Sequence, residues 1–296
     1  MRKPRVYDEI ATIYFYIIAF ILISFLVLLI GYILYQGRES LNLNFITTAP
    51  KFMEKGGGIG PQLFNSLMLL IVTLVISAPI GIGAGIFMSE YAKPGFLSET
   101  IRISTETLSS LPSIVVGLFG LLIFVNMFHW GYSLISGALA LTVLNLPVMA
   151  RVSEDSIKSV SKNIKEASFA LGATKWQTIS KVILPSALPG LITGIILTSG
   201  RIFGEAAALL YTAGMSTPPL NFTNINPINP NSPFYPFRPA ETLAVYIWKI
   251  NSEGLAPDAR KIADGSAAVL LIIVLSFNLI ARWYGTYLYK RMTGEK

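Results

Sequence analysis

The chain has 296 residues, of which 53% are hydrophobic and 13% are charged, and its formal net charge is +7. It contains no cysteine and one histidine, which excludes a disulfide framework, a thiolate metal site and a histidine-based catalytic or zinc cluster within the chain. Apolar runs of about 20 residues, enough helix to cross a bilayer, recur along the sequence. We therefore expect an all-α integral membrane protein without a resident cofactor or metal.

Six apolar segments are long enough to be membrane spans, at residues 10–35, 62–88, 108–128, 132–149, 187–211 and 266–287. No small-residue cleavage site follows the first, so we interpret it as an uncleaved span and not as a signal peptide. A long loop over residues 214–265 separates the last two. Its proline- and asparagine-rich first part predicts irregular, polyproline-like structure. Residues 240–251 predict a short helix that packs on the spans or lies under a partner.

Six spans place both termini on one side of the membrane. Fifteen of the 23 lysines and arginines fall on that side, seven fall on the other, and Arg201 lies within the fifth span. The positive-inside rule then predicts that both termini and residues 151–185 are cytoplasmic and that residues 214–265 are extracytoplasmic. This distribution explains the basic net charge without nucleic acid, and it predicts a multi-pass protein of the cytoplasmic membrane.

The polar stretch over residues 151–185 lies between the fourth and fifth spans and has a regular pattern. Apolar residues in steps of three and four over residues 157–171 predict one amphipathic helix, which Gly172 ends. A capping box over residues 174–177 predicts the start of a second helix, which Pro185 ends. The stretch is therefore predicted to be two short helices joined at a glycine. Its second helix has Trp176, Ile179 and Ile183 as its predicted apolar face.

Arg201 and Glu205 are two charges inside the fifth span. A charge near the bilayer centre costs about 2.5–3.5 kcal/mol even on the lenient insertion scale. Arg201 falls roughly 21 Å along the span, near mid-membrane. The spacing of four predicts that both side chains share one helix face and pair. Two interpretations stay open: a structural ion pair that locks spans together, and a pathway site whose guanidinium offers its donors to an oxyanion.

The chain contains no G-x-x-x-x-G-K-[ST] motif, so it has no usual cradle for a nucleoside triphosphate. The apolar composition also leaves no room for a soluble domain that could hold one. If the protein performs energised work, the energy comes from a partner chain.

With these residues in view, the chain resembles the membrane subunits of ATP-binding-cassette (ABC) importers. That family carries a cytoplasmic loop motif of Glu-Ala-Ala, a glycine four residues later and a downstream Ile-x-Leu-Pro. Here Ser168 replaces the second alanine and Val182 replaces the isoleucine. The resemblance implies the type I ABC importer permease fold and a loop that docks into a groove on an ATPase. The residues it assigns to that coupling loop are Glu166, Ala167, Gly172, Ala173 and Pro185.

Four segments narrow the resemblance to the phosphate-transport permeases of the PstA type. They are LPSIVVGLFG at 111–120, NLPVMAR at 145–151, GRIFGEAAALLYTAG at 200–214 and RPAETLAVYIWKINSEG at 238–254. The resemblance covers nearly all of the chain from about residue 65 onward. It implies phosphate as the substrate, Arg201 and Glu205 as translocation-pathway residues, and a subunit that is not itself catalytic. The implied partners are a PstC-type second permease, a PstB-type ATPase dimer and an extracytoplasmic phosphate-binding protein.

We expect three parts: a tail, first span and outer loop over residues 1–61, a transmembrane domain over 62–289, and a cytoplasmic tail over 290–296. Three alternatives stay open for the function. The chain could be a permease for another oxyanion such as sulfate or molybdate, a stand-alone secondary transporter, or a purely structural membrane subunit. The composition of the insert at 218–237 indicates no function.

Overall fold

The computed structural model of this protein describes residues 3–51, 53–254 and 256–293. All regular structure in these residues is helical. In chain order, the α-helices are α1 (Lys3–Gly37), α2 (Leu43–Thr47), α3 (Gly60–Ile86), α4 (Phe96–Ser110), α5 (Ser113–Gly120), α6 (Leu134–Lys158), α7 (Lys162–Ala170), α8 (Lys175–Thr178), α9 (Leu184–Gly204), α10 (Ala207–Leu210), α11 (Leu243–Glu253) and α12 (Ala259–Thr293). Single π-helical segments follow α3, α5 and α8, at Phe87–Tyr91, Leu121–Met127 and Ile179–Ile183.

Five helical segments in the described residues are long and apolar enough to cross a membrane. They are Tyr7–Ser40, Gly60–Tyr91, Leu134–Lys158, Lys175–Gly204 and Ala259–Met292. A sixth candidate is a pair of helices, Phe96–Ser110 and Ser113–Met127, bent by 100° relative to each other. Counting the bent pair as one span gives the predicted six, and the all-α membrane fold is confirmed.

The predicted third span over residues 108–128 is wrong at its start. Leu111 has extended backbone (φ −66°, ψ 135°) and ends α4. The ring of Pro112 disfavours the helical region for the residue before it, and proline offers no N–H to a helical ladder. The chain therefore turns sharply here. Only Ser113–Met127 continues the predicted span, and residues 96–110 form a separate exposed amphipathic helix.

The centre of the molecule is a close parallel pair, α3 and α6. A Cβ atom placed on Gly81 would lie 2.6 Å from Met149 Cγ, and one placed on Gly85 would lie 2.5 Å from Ser153 Cβ. Membrane helices approach this closely only where one side offers small residues. Gly81 and Gly85 of the second span therefore serve helix packing.

α9 packs antiparallel to α6, with Gly190 against Ser156 and Gly194 against Val152. α12 packs along α9, and α1 packs on α12. The apolar part of α1 is otherwise uncovered, since none of its most apolar 18-residue window is buried. Such a surface suits lipid or a partner subunit in the membrane.

The bundle has two ends. We define the loop face by residues 38–59 and 211–258, and the connector face by residues 92–95 and 159–174. The described ends of α1 and α12 both lie toward the connector face, because α1 and α12 each cross the bundle once. This agrees with termini on one side of the membrane, while their cytoplasmic location stays a prediction.

The Pro/Asn-rich part of the loop face is irregular, as predicted, but it is built from turns and not from a polyproline-like run. The side-chain oxygens of Asn221, Asn224, Asn226 and Asn229 each accept a hydrogen bond from the backbone N–H two residues later. These are Asx-turns, which compete with extended structure wherever asparagine recurs.

The helix predicted over residues 240–251 is confirmed as α11. The Thr242 side chain caps its start, and Gly254, with φ of +61°, ends it. Leu243 and Tyr246 are buried against α12 and the segment around Phe45. α11 therefore packs on the spans, which was one of the two predicted arrangements.

Candidate coupling element and intramembrane site

The connector over residues 151–185 contains two helices joined at a glycine, but the first is shorter than predicted. α6 runs to Lys158, residues 159–161 interrupt the helix, and α7 begins at Lys162. The interruption allows Ile157 and Val160 to be buried, while the later apolar residues of the pattern face away from the bundle. One uniform face over 157–171 is therefore the wrong interpretation.

Gly172 ends α7 in the conformation that its position predicts. Its φ is +84°, in the left-handed region that favours glycine. The Gly172 N–H donates to the Phe169 carbonyl at 2.9 Å, and the Ala173 N–H donates to the Ser168 carbonyl at 3.2 Å. These two bonds form a Schellman motif, which satisfies carbonyls at the helix end. The direction of α8 relative to α7 is thereby fixed.

The capping box at the start of α8 is confirmed. Thr174 Oγ1 accepts from the Gln177 N–H at 3.3 Å, and Gln177 Oε1 accepts from the Thr174 N–H at 2.8 Å. A buried hydrogen bond of 2.9 Å between the hydroxyls of Ser168 and Thr178 joins α7 to α8. This bond holds the two helices in contact. Ser168, which departs from the family motif, supplies that bond.

Pro185 does not end the second helix, contrary to prediction. Helical structure is continuous over Lys175–Gly204. The Leu184 N–H bonds the Ile179 carbonyl five residues back, so a wide π-helical turn immediately precedes the proline. Such a turn shifts the hydrogen-bond ladder and accommodates a residue without an N–H. α8 and α9 consequently form one helical path.

The π-helical segment that follows α3 anchors the connector. Lys165 Nζ forms an ion pair with the Glu90 carboxylate, and Lys175 Nζ donates to the Glu90 backbone oxygen. The Lys175 ammonium also lies over the Tyr91 ring, 4.3 Å from its centroid. Glu90 was not predicted as a contact residue. Its only distinguishing feature in the sequence is a charge next to the end of an apolar span.

The outward surface of the connector combines an unpaired acid with apolar side chains. Glu166, Ala167 and Gly172 are exposed, and within the described chain Glu166 has no ion pair or hydrogen bond. The predicted face of the second helix is divided: Ile179 and Ile183 are buried, whereas Trp176 is not. Four large apolar side chains are exposed on this surface, namely Ile164, Phe169, Leu171 and Trp176. Such a patch is typical of a protein interaction site.

Arg201 lies at mid-height in the bundle. Thr198 Oγ1 is 3.9 Å from Met149 Sδ, on the neighbouring antiparallel helix. Arg201 follows almost one turn later on α9, which brings it level with about Asn145 on α6. Asn145 is near the middle of that helix, which spans Leu134–Lys158.

The predicted pair of Arg201 and Glu205 is not formed. α9 ends at Gly204, and Glu205 has extended backbone with φ −77° and ψ 120°. Its Oε1 accepts the Ala208 N–H at 3.1 Å, at the start of α10. That helix start offers unpaired N–H groups and favours a carboxylate. The predicted continuous span over 187–211 is therefore wrong as well.

The guanidinium of Arg201 has no hydrogen bond or ion pair to any described residue, although its side chain is half-buried. It lies on an open face of α9 with Leu197, which is 58% exposed. A Cβ atom on Gly200 or Gly204 would meet nothing within 4 Å. The dipole of the last helical turn favours a cation at this position. The donors of Arg201 are thus available to an oxyanion or a partner.

Two helix breaks lie close to the level of Arg201. α5 runs beside α10, where a Cβ atom on Gly117 would lie 2.7 Å from Ala208 Cα. Leu111, at the start of the first break, and Ala206, in the second, pack on the same apolar core. Interrupted helices at mid-membrane bring free backbone groups to a substrate in many transporters.

A buried polar network at the loop face was not predicted. Arg238 is 3% exposed, and its guanidinium donates to Asn65 Oδ1 at 2.8 Å, the Pro233 carbonyl at 2.7 Å and the Pro239 carbonyl at 3.1 Å. Burial lowers the pKa of Arg238 to about 10, which leaves it charged at neutral pH. The network fastens the end of the Pro/Asn-rich loop to α3.

Glu241 extends this network. It is 3% exposed and accepts from Gln62 Nε2 at 2.8 Å and from Lys249 Nζ at 3.3 Å. Burial raises the pKa of the Glu241 carboxyl, while the contacts with Gln62 and Lys249 oppose that effect. An amide from α3 and an ammonium group from α11 therefore both donate to the Glu241 carboxylate behind the loop.

Comparison with known proteins assigns the chain to a family. Residues 81–294 match the binding-protein-dependent transport system inner membrane component family. The chain is 55% identical to the probable ABC transporter permease protein YqgI of Bacillus subtilis (strain 168), over 98% of this chain and 99% of that protein. It is 33% identical to the phosphate transport system permease protein PstA of Yersinia pestis, over 83% of this chain and 79% of that protein.

A solved structure supports the fold. The chain superposes with a TM-score of 0.55 on a bacterial ABC transporter involved in the import of the acidic polysaccharide alginate, over 96% of this chain and 99% of that one. At 15% sequence identity this likeness concerns the fold alone. The chain therefore belongs to the family of binding-protein-dependent transport system inner membrane components, and it is a multi-pass permease subunit of an ABC importer with the type I permease fold.

Proposed function

We propose that this chain is the permease subunit of an ATP-driven importer of inorganic phosphate and forms half of the translocation pathway. The observation that carries the proposal is the free guanidinium of Arg201, at mid-height on the open face of α9. Its rigid fork of donors matches the oxygens of phosphate. The 33% identity with a relative named as a phosphate permease supports the choice of this anion.

A second permease, of the PstC type, covers the open face of α9 and completes the pathway. Gly200 and Gly204 leave space beside Arg201 for an anion at that interface. Excluding water there strengthens the attraction between the guanidinium and phosphate. Glu205 belongs to the same site because it fixes the helix break that follows Arg201.

A PstB-type ATPase dimer drives the cycle through the connector. The docking surface comprises Glu166, Ala167, Gly172 and Ala173, and Pro185 lies in the helical path behind it. That path is continuous from Lys175 to Gly204, so displacement of α8 reaches Arg201 roughly 39 Å away along one helix. Coupling element and anion site thus share one rigid segment.

An extracytoplasmic phosphate-binding protein delivers the substrate to the loop face. The excess of basic residues on the connector side supports a cytoplasmic location for that face and for both termini, in the cytoplasmic membrane. We assign the pathway to residues 62–289. The exposed α1 supports treating residues 1–61 as a separate part, followed at the other end by the tail over 290–296.

Labelled phosphate uptake in cells that lack their own phosphate importer tests the proposal. Arg201→Lys keeps the charge but loses the planar fork, so we expect uptake to fall about tenfold or more. Arg260→Lys is the matched control, since Arg260 is exposed at the start of α12, and it should transport normally. Normal uptake by a correctly inserted Arg201→Ala protein would overturn the pathway role.

A permease for another oxyanion is the second candidate, because the YqgI relative is named only as a probable ABC transporter permease. A guanidinium also binds sulfate or molybdate. Competition decides between them: for a phosphate importer, unlabelled phosphate suppresses labelled uptake and a tenfold excess of sulfate or molybdate does not. Suppression by either of those anions at concentrations equal to phosphate would favour the second candidate.

A further inference from the structure

A cavity of about 960 Å³ opens at the loop face. Its walls come from α2 and the chain after it, the first turns of α3, residues 216–222 and α11. This volume is at the upper end of the range for small-molecule sites, about 300–1,000 Å³. Neither Arg201 nor any residue of the connector lines it.

The charges that line the cavity are balanced. They are Lys51, Lys249, Glu241 and Glu253. Glu241 is buried and contacts Lys249, whereas Glu253 and Lys51 are exposed at the mouth. Two carboxylates disfavour a simple anion such as phosphate, and two ammonium groups disfavour a simple cation. The pattern suits a ligand that carries both charges.

One buried acceptor in the wall lacks a donor. Gln62 is 2% exposed and lines the cavity. Its Nε2 donates to Glu241 Oε2 at 2.8 Å, which fixes the orientation of the amide. Its Oε1 then has no hydrogen-bond partner among the described residues. That oxygen is enclosed in the wall next to Glu241, so a ligand in the cavity does not contact it, and the charged side chains set the polarity of the lining.

The apolar wall continues out of the cavity along the membrane surface of α3. Phe64 and Leu67 line the cavity, and Leu67 is 38% exposed at its mouth. Ile71, 54% exposed, and Val75, 67% exposed, follow on the same helix face. This stripe leads from the cavity toward mid-height in the bundle. A hydrocarbon chain that leaves the cavity would lie along it.

We infer that a phospholipid with a zwitterionic headgroup occupies this cavity. Its ammonium faces the carboxylates of Glu241 and Glu253, its phosphate faces the ammonium groups of Lys51 and Lys249, and one acyl chain follows the stripe on α3. The lipid thereby joins residues 216–222 to α3. The inference does not depend on which anion is transported.

Native mass spectrometry of the assembled transporter tests the inference. The complex is equilibrated with equal amounts of phosphatidylethanolamine and phosphatidylglycerol, and the lipids retained by this chain are counted. We expect one phosphatidylethanolamine to be retained in preference. Leu67→Trp fills the mouth of the cavity and should reduce occupancy about tenfold. Its control is Ile80→Trp, at a residue of α3 that is 51% exposed and outside the cavity.

A second variant tests the contact between the protein and the lipid headgroup. Glu241→Gln removes the buried charge and should abolish the preference for phosphatidylethanolamine, whereas Glu39→Gln, at an exposed carboxylate outside the cavity, should retain it. Absence of retained lipid, equal retention of the two lipids by the wild type, or equal occupancy in the two tryptophan variants would each overturn the inference. Occupation of the cavity by another subunit of the transporter would overturn it as well. Loss of the lipid preference in Glu241→Gln, with unchanged phosphate uptake, would support the lipid inference. Phosphate uptake tests the proposed function separately.

Discussion

At the scale of single residues, two arginines away from bulk water differ in what their guanidinium groups contact. Arg238 donates to three acceptors within the chain, while Arg201 has no partner among the described residues. A charge removed from water is tolerated when it is paired and hydrogen-bonded. Arg238 is therefore satisfied within the chain, whereas the donors of Arg201 are available to a group from outside it. The absence of a partner distinguishes the candidate site from the structural one.

Glu241 should make the stability of the protein depend on pH. Burial raises its pKa in the folded state above the ordinary 4.5. Between these two values the folded protein binds more protons than the unfolded chain, so the free energy of unfolding decreases as pH rises through that window. We expect the melting temperature of the purified protein to fall with rising pH above about 4.5. Fluorescence-detected melting in detergent from pH 4.5 to 8 measures this slope.

Glu241→Gln should remove that part of the slope, because a neutral amide does not titrate. Glu99→Gln, at an exposed carboxylate without an ion pair among the described residues, should leave the slope as in the wild type. Identical slopes in wild type and Glu241→Gln would show that the Glu241 carboxyl is not the titrating group.

The sequence predicts residues whose signals are local and misses those that depend on distant contacts. Gly172 and the capping box at 174–177 were predicted correctly because the backbone conformation and its hydrogen bonds lie within a few residues. Arg238 bonds Asn65, 173 positions away, and no pattern near either residue indicates that contact. The pairing of Arg201 with Glu205 failed because it assumed that the helix continued past Gly204.

At the scale of elements, two prolines with similar surroundings in sequence have opposite effects. Pro112 follows an extended residue and separates α4 from α5 by a bend of 100°. Pro185 follows a π-helical turn and leaves its helix continuous. A proline can end, kink or pass through a helix depending on how the preceding turn is hydrogen-bonded. Packing decides that turn, so both prolines could be recognised as breakers but not distinguished.

The parallel contact of α3 and α6 should not tolerate a methyl group at Gly85. A Cβ atom there would lie 2.5 Å from Ser153 Cβ and 2.8 Å from the Glu154 backbone nitrogen, and the backbone cannot move aside locally. Gly85→Ala should therefore force the helices apart and reduce the free energy of unfolding by about 1–3 kcal/mol. Thermal melting of the purified protein measures the change.

Gly83→Ala is the matched control two residues away on the same helix. A Cβ atom at Gly83 meets nothing within 4 Å. Alanine is favoured over glycine in a helix by about 1 kcal/mol, so this variant should equal or exceed the wild type in stability. Equal destabilisation of Gly83→Ala and Gly85→Ala would mean that the close approach of α3 and α6 is not the cause.

At the scale of the whole molecule, one helical path joins the connector face to mid-height in the bundle. It runs over Lys175–Gly204, and Glu90, in the π-helical segment after α3, contacts its first residue. In the proposed mechanism, this helical path carries the displacement imposed by the ATPase from the connector to Arg201. The connector motif and the intramembrane arginine are predictable separately from sequence. Their continuity depends on the helical turn before Pro185 and is visible only in the structure.

Glu166→Lys should separate folding from coupling. The side chain is exposed and unpaired within the described chain, so the substitution should change the free energy of unfolding by no more than about 0.5 kcal/mol. In the assembled transporter, a reversed charge at the docking surface should reduce uptake about tenfold or more, because like charges or an unpaired charge at an interface weaken association. Uptake and ATPase stimulation by the binding protein are measured in the same vesicles.

Glu99→Lys provides the control for charge alone. Glu99 is also exposed toward the connector face, in the first turn of α4, but lies outside the docking surface. It should retain uptake and stimulated ATP hydrolysis within about twofold of the wild type, since exposed charges away from an interface contribute little. If Glu166→Lys behaved like this control in both assays, the ATPase would have to engage another part of the connector face. The continuous path from Lys175 to Arg201 would then lose its role in transmission.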